Sequence, residues 1–192
     1  TETFNDSFSP RIGISIIVSA YCNNSSVKPS VSSPIARIIS VELFEVKVSN
    51  RIEFESRKLE VVSHLPREDL FIYADKYFMN EVISQLLTNA IKYTKLGTIT
   101  LSLEKRKIDD KDFAVLTIED TGVGISHEKL NSIFDDFRQG SEGYSREYDG
   151  LGLGLALVKK IVGLHNGNIT VQSKVNKGSL FNLTLELQKR TN

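Results

Sequence analysis

Apolar residues recur at Met79, Val82, Ile83, Leu86, Leu87, Ala90 and Ile91, the spacing of one helical face, and predict a helix over residues 75–93 with Asp75 as its N-cap. Gly97 closes that region, and residues 98–103 then alternate apolar and polar as a strand does. A charged turn is expected over 105–111 and a second strand over 113–119. A short helix is expected over 126–133, followed by a polar loop over 135–150. A helix over 153–165, a turn at Asn166 and Gly167, and strands over 168–173 and 179–187 complete the pattern. Nearer the start, residues 41–57 read as a helix. The apolar runs 59–62 and 70–73, on either side of Pro66, read as a strand pair joined by a polar turn. Successive strands are joined by short turns more often than by helices. The expected fold is therefore α+β, a two-layer sandwich with a mixed, mainly antiparallel sheet and helices on one face.

Residues 1–40 differ in kind. They hold Pro10, Pro29 and Pro34 and a serine-rich polar stretch over 23–33, with a short strand possible only at 12–18. We read 1–40 as a linker or the remnant of a preceding domain, and 41–192 as one folded domain. The chain has 192 residues, 40% of them hydrophobic, with 24 basic and 24 acidic side chains. A balanced charge argues against nucleic-acid binding through bulk phosphate attraction. Cys22, the single cysteine, cannot form an internal disulfide, which suits a reducing, cytoplasmic setting. The longest apolar run, residues 12–20, is too short for a membrane span, so this segment is expected to make no membrane contact, although a longer parent protein could be anchored.

Three clusters carry chemistry. On the helix over 75–93, Glu81, Gln85, Asn89 and the pair Lys92 and Tyr93 share one face beside the apolar stripe. Taken alone, that stripe fits a solvated helix edge. That reading is favoured for the stripe by itself, although it also offers an amide oxygen to Mg²⁺ and an ammonium to a phosphate. Next, Asp120 shares the parity of Ala114, Leu116 and Ile118, so a carboxylate faces an apolar side of the sheet. There it needs donors, either from an ordinary Asp-Gly turn or from an exocyclic amine such as that of adenine. The following Gly122 and Gly124 would let a base approach the backbone. Third, Gly150, Gly152 and Gly154 alternate at the start of a helix, where converging N–H groups hold an anion. No Lys-Ser or Lys-Thr follows, so this is not a P-loop.

In this order the clusters resemble the ATP-binding domain of sensory histidine kinases, in the GHKL superfamily with its Bergerat-type fold. NEVISQLLTNAIKYT (80–94) is similar to the N box, DTGVGI (120–125) to the first glycine box and IFDDF (133–137) to the F box. Residues 138–160 resemble the lid and second glycine box, and KGSLFNLTL (177–185) the last strand region. The resemblance covers about 58–187 and is weaker from 41. It implies that Mg²⁺ and ATP are the cofactor and substrate. Asn89 would hold the metal, and Lys92, the other catalytic residue, would contact phosphate. Gln85 would ligate or orient beside them. Tyr93 would line the ribose–phosphate region. Asp120 would bind the adenine amine in a pocket shaped by Gly122, Gly124 and Ile125, with Ser179 reaching it through water. Gly150, Gly152 and Gly154, with the amides of Leu153 and Leu155, would cradle phosphates. Phe134 and Phe137 would anchor the lid, and Arg138 would meet phosphate or a lid carboxylate.

Two positions depart from the family pattern. Gln85 stands where many of these kinases have a second Asn and where the hydrolases of the superfamily have a Glu; an amide cannot serve as a general base, which argues against efficient ATP hydrolysis. Leu151 replaces the usual Thr or Ser between the glycines. The phosphate-accepting histidine is not found either. His127 and His165 read as surface or capping residues, and His64 is followed by Leu65 and Pro66, which do not suit the acceptor helix. The expected function is transfer of the γ-phosphoryl group of Mg·ATP to a histidine outside this chain, on a dimerisation domain in cis or in trans, with a response regulator downstream. A GHKL-type ATPase, a serine-directed kinase of the anti-sigma type and a non-catalytic docking module are the competing readings.

Overall fold

The computed structural model describes residues 35–135 and 154–188. Its elements run β1 (Ile35–Ile38), α1 (Ile39–Ser49), α2 (Arg51–Arg57), β2 (Glu60–His64), β3 (Phe71–Ala74) and α3 (Lys76–Tyr93). They continue β4 (Thr98–Ile108), β5 (Lys111–Asp120), α4 (His127–Leu130), α5 (Gly154–Leu164), β6 (Asn168–Lys174) and β7 (Gly178–Glu186). Five strands form one sheet in the order β2-β4-β5-β7-β6. Only β2 and β4 run parallel; the other pairs are antiparallel. β1 and β3 form a separate antiparallel pair.

The two layers follow from strand parity. Ile99, Leu101 and Leu103 of β4, Ala114, Leu116 and Ile118 of β5, and Phe181, Leu183 and Leu185 of β7 all face one core. The residues between them are mostly polar, and Thr117 bonds to Asn182 at 2.7 Å across that opposite face. α3 covers the apolar face with the seven residues whose spacing predicted it, all buried. α5 adds Ala156, Val158, Ile161 and Val162. The expected mixed sheet with helices on one face is what the chain forms.

Three local expectations are corrected. The runs around Pro66 are strands but do not pair with each other: β2 lies beside β4, and β3 beside β1. Apolar composition marks a strand without naming its neighbour, and here the neighbours come from distant sequence. Residues 105–111 are not merely a turn. The β4–β5 ladder continues to the pair Ile108↔Lys111, and the reversal is confined to Asp109 and Asp110, both with positive φ. This arm lies beyond the core, so both faces are polar and the apolar alternation that signals a strand vanishes. The helix expected over 41–57 is broken at Asn50, whose side-chain amide donates to the Val46 carbonyl at 2.8 Å, a local bond that competes with the helical ladder. Within the described residues, β1 pairs with β3 and Ile39 is wholly buried, so residues 35–39 also take part in the fold.

Candidate functional site

α3 is fixed at both ends. At its start, Asp75 Oδ1 accepts the Phe78 N–H at 3.2 Å, which is the predicted cap. The Asp75 N–H in turn donates to Nε2 of His165 at 3.3 Å, while Nδ1 of that ring donates to the Ile161 carbonyl at 2.8 Å. One imidazole thus joins the first turn of α3 to the last turn of α5. At the other end, the Tyr93 carbonyl accepts the Val123 N–H at 3.1 Å, so the helix abuts the turn that follows Asp120. Glu81, Gln85, Asn89 and Lys92 are half-buried along the border of the core face. Lys92 Nζ lies 5.6 Å from the centre of the Tyr93 ring.

Asp120 ends β5 and is only 5% exposed. Its Oδ1 accepts the Gly122 N–H at 2.8 Å, and Ser179 stands directly opposite it across β5 and β7. Burial pushes the carboxyl above the usual aspartate range; the Gly122 and Ser179 donors oppose that push, and the Glu119 charge adds to it. Among the described residues no cation joins these causes. The glycines around it serve close approach of chain to chain. A Cβ at Gly122 would strike the Tyr93 carbonyl, and one at Gly124 (φ +67°) the Lys174 carbonyl. At Gly178 (φ +102°) a Cβ would run into the Asp120 carbonyl. The Asn176 N–H donates to the Val123 carbonyl at 2.8 Å, completing the contact between this loop and the β6–β7 turn.

The Gln85 side chain lies against Gly154, the first residue of α5, where any side chain would collide with it. The departure at position 85 is therefore spent partly on packing the helix that follows the second glycine cluster. Leu155 is half-buried and joins the core edge, as does Phe134, whose ring has Lys159 Nζ at 5.8 Å. The structure thus brings together Gln85 with Gly154, and Tyr93 with Asp120, Gly122, Gly124, Ile125 and Ser179. Asn89 lies on the same helix face one turn before Tyr93. Arg138, Gly150, Gly152 and Leu153, with Phe137, lie outside the described residues. Mg²⁺ is compatible with what is described: it prefers oxygen ligands shared with phosphates and water, and the Asn89 carboxamide is half-exposed and makes no hydrogen bond among the described residues.

Residues 74–189 match the family described as histidine kinase-, DNA gyrase B-, and HSP90-like ATPase. The chain belongs to this family. Autoinducer 2 sensor kinase/phosphatase LuxQ of Vibrio vulnificus is 38% identical over 132 residues, 68% of this chain and 15% of LuxQ. Sensor histidine kinase RcsC of Escherichia coli is 32% identical over 195 residues, 91% of this chain and 20% of RcsC. The chain therefore spans about a fifth or less of the length of these curated relatives. Among solved structures, full-length ShkA in complex with AMPPNP superposes with a TM-score of 0.68 at 21% identity, covering 94% of this chain and 36% of ShkA. The catalytic domain of histidine kinase ThkA superposes at 0.65 and 22% identity, covering 81% of this chain and 96% of that domain. Both likenesses concern the fold. As a family member, the chain has its two best-marked motifs, the N box on α3 and the first glycine box after β5, in direct contact. No helix among the described residues is long and apolar enough to cross a membrane.

Sequence reading missed two residues of this region. Ser173 of β6 bonds to Ile125, and His165 holds α3 to α5. A serine in an alternating strand and a histidine at a helix end carry no motif; only their distant partners reveal them.

Proposed function

We propose that this domain binds Mg·ATP and supports transfer of its γ-phosphoryl group to a histidine on a dimerisation domain outside this chain, with a response regulator receiving the phosphoryl group next. One observation carries the purine half of this reading: a buried carboxylate, Asp120, at the end of a strand, bonded to the Gly122 N–H and set opposite Ser179, with no cation beside it among the described residues. Ionised, it is a ready acceptor for an exocyclic amine, with Gly122, Gly124 and Ile125 beside it. Family membership and the likeness to a structure solved with AMPPNP support the choice of adenine nucleotide.

Along α3, Asn89 would hold Mg²⁺, Lys92 would meet phosphate and Tyr93 would border the ribose. The metal, when bound, neutralises charge on the phosphate oxygens. Gly154 and the Leu155 amide, with Gly150, Gly152, Leu153 and Arg138, complete the phosphate side. In the transfer, an acceptor imidazole nitrogen bonds to the γ-phosphorus as the bond to the bridging oxygen breaks, and ADP leaves. The protein's part is positioning and charge, since nothing in the described site needs to form a covalent bond. Gln85, an amide resting on Gly154, supplies no base for water, which separates this site from the hydrolytic members of the superfamily.

The test is to incubate the chain with γ-labelled ATP and an isolated acceptor domain. Acid-labile label on the acceptor is the expected result, and Asn89→Ala should reduce its rate by about 100-fold, the scale of losing a contact aimed at developing charge. Steady phosphate release with no acceptor present would instead favour an ATPase. Normal transfer by Asn89→Ala would remove that residue from the metal site.

A further inference from the structure

Ser173 stands in β6 with its Oγ 2.8 Å from the Ile125 amide nitrogen, 2.8 Å from the Gly178 carbonyl oxygen and 3.1 Å from the Ser179 Oγ. A hydroxyl has one proton to give and two lone pairs. An amide can only donate and a carbonyl can only accept. Ser173 therefore accepts from Ile125 and donates to Gly178, with Ser179 beside it. The strand register sets Ser173 opposite Ser179, and Ser179 opposite Asp120. One atom thus ties the far end of the loop, Ile125, to Gly178, the β7 neighbour of the Ser179 that faces Asp120 at its near end.

We propose that Ser173 is a positioning residue for purine recognition: its hydroxyl clamps the 120–125 loop so that the Asp120 carboxylate faces the six-position of the base. This rests on the reading of Asp120 as the adenine acceptor and adds to it a residue outside every motif in the chain. The clamp needs donor and acceptor at the same atom, which Thr retains and Val, its isostere, lacks. It also bears on selectivity. Adenine presents an amine to a carboxylate, whereas guanine presents a carbonyl oxygen, which repels it. Releasing the loop therefore weakens ATP and leaves the already poor binding of GTP almost unchanged.

Calorimetric titration of the whole chain with Mg·ATP and Mg·GTP tests this on Ser173→Thr, Ser173→Val and Asp120→Asn. Ser173→Val is expected to bind ATP about tenfold more weakly than Ser173→Thr, the scale of one or two hydrogen bonds lost at a site. GTP should change by less than about twofold, so the preference for ATP narrows, a change that mere loss of stability would not produce. Melting curves of the isosteric pair, which differ only in the hydroxyl, identify any unfolded fraction and correct the titration for it. Equal ATP affinity and selectivity in the Thr and Val variants overturns the clamp. If at the same time Asp120→Asn has lost ATP, the nucleotide reading stands without it. If Asp120→Asn binds ATP as the parent does, the assignment of Asp120 falls and the clamp with it.

Discussion

The two halves of the site are built differently. Around Asp120 almost every polar atom is committed: Gly122 and Ser179 hold the carboxylate, Ser173 holds Ile125 and Gly178, and Gly124 and Gly178 admit backbone where no side chain fits. Along α3 the side chains of Gln85, Asn89 and Lys92 lie half-buried at the edge of the core, and the Asn89 carboxamide makes no hydrogen bond among the described residues. On the proposed function, the difference would follow from what each half meets. A planar base has a fixed edge, and a rigid acceptor recognises it at little entropic cost. A triphosphate with its metal is flexible and strongly hydrated, and ligands that move with it lose less than ligands held rigid. On the proposed reading, base recognition would be preorganised in the fold and phosphate recognition completed by the ligand.

Breaking the rigid half should have the largest effect. Gly178→Ala forces a Cβ against the Asp120 carbonyl at a positive φ, and a loss of about 3 kcal/mol or more in urea unfolding is expected, with nucleotide binding lost. The Asn89→Ala variant, by contrast, should melt with the parent; a matching loss there would end the distinction between the halves. Asp120→Asn comes next, with an expected 10- to 100-fold loss of ATP affinity, the range for a charge-assisted hydrogen bond. Its pH dependence sharpens the point. Because burial raises the Asp120 carboxyl above the ordinary aspartate value, the folded chain binds the extra proton between the unfolded and the raised value. This residue's contribution to stability therefore falls as pH rises through that window and is flat above it. ATP affinity, which needs the ionised form, should fall on acidification at a higher pH than an ordinary aspartate allows. Asp120→Asn should show neither trend in unfolding or titration series from about pH 8 to about pH 4. The smallest effect belongs to Gly163, on the exposed face of α5, where a Cβ meets no neighbouring element. Gly163→Ala should stabilise by about 0.5 to 1 kcal/mol in urea unfolding and leave ATP binding unchanged.

Much of this was legible in the chain. The apolar spacing along α3 announced both the helix and its buried face, and the parity of Ala114, Leu116, Ile118 and Asp120 placed a carboxylate on the core side of the sheet. The motif order pointed to the family that residues 74–189 match. What escaped had no periodic signature. The outer β4–β5 arm is polar on both faces, and the turn at Asn50, where a side-chain amide reaches the Val46 carbonyl, interrupts no apolar spacing. The partners of β2 and β3 depend on chain distant in sequence.

By itself the sequence determined which residues seek the core and which short segments carry reactive groups, because periodicity and motif are properties of neighbours along the chain. Only the tertiary structure decided that Ser173 clasps Ile125, that His165 bridges to Asp75 and that Gln85 rests on Gly154. Those contacts join residues 48, 90 and 69 positions apart by sequence number, and a hydroxyl, an imidazole or an amide acquires its role only from the partner that folding brings within reach.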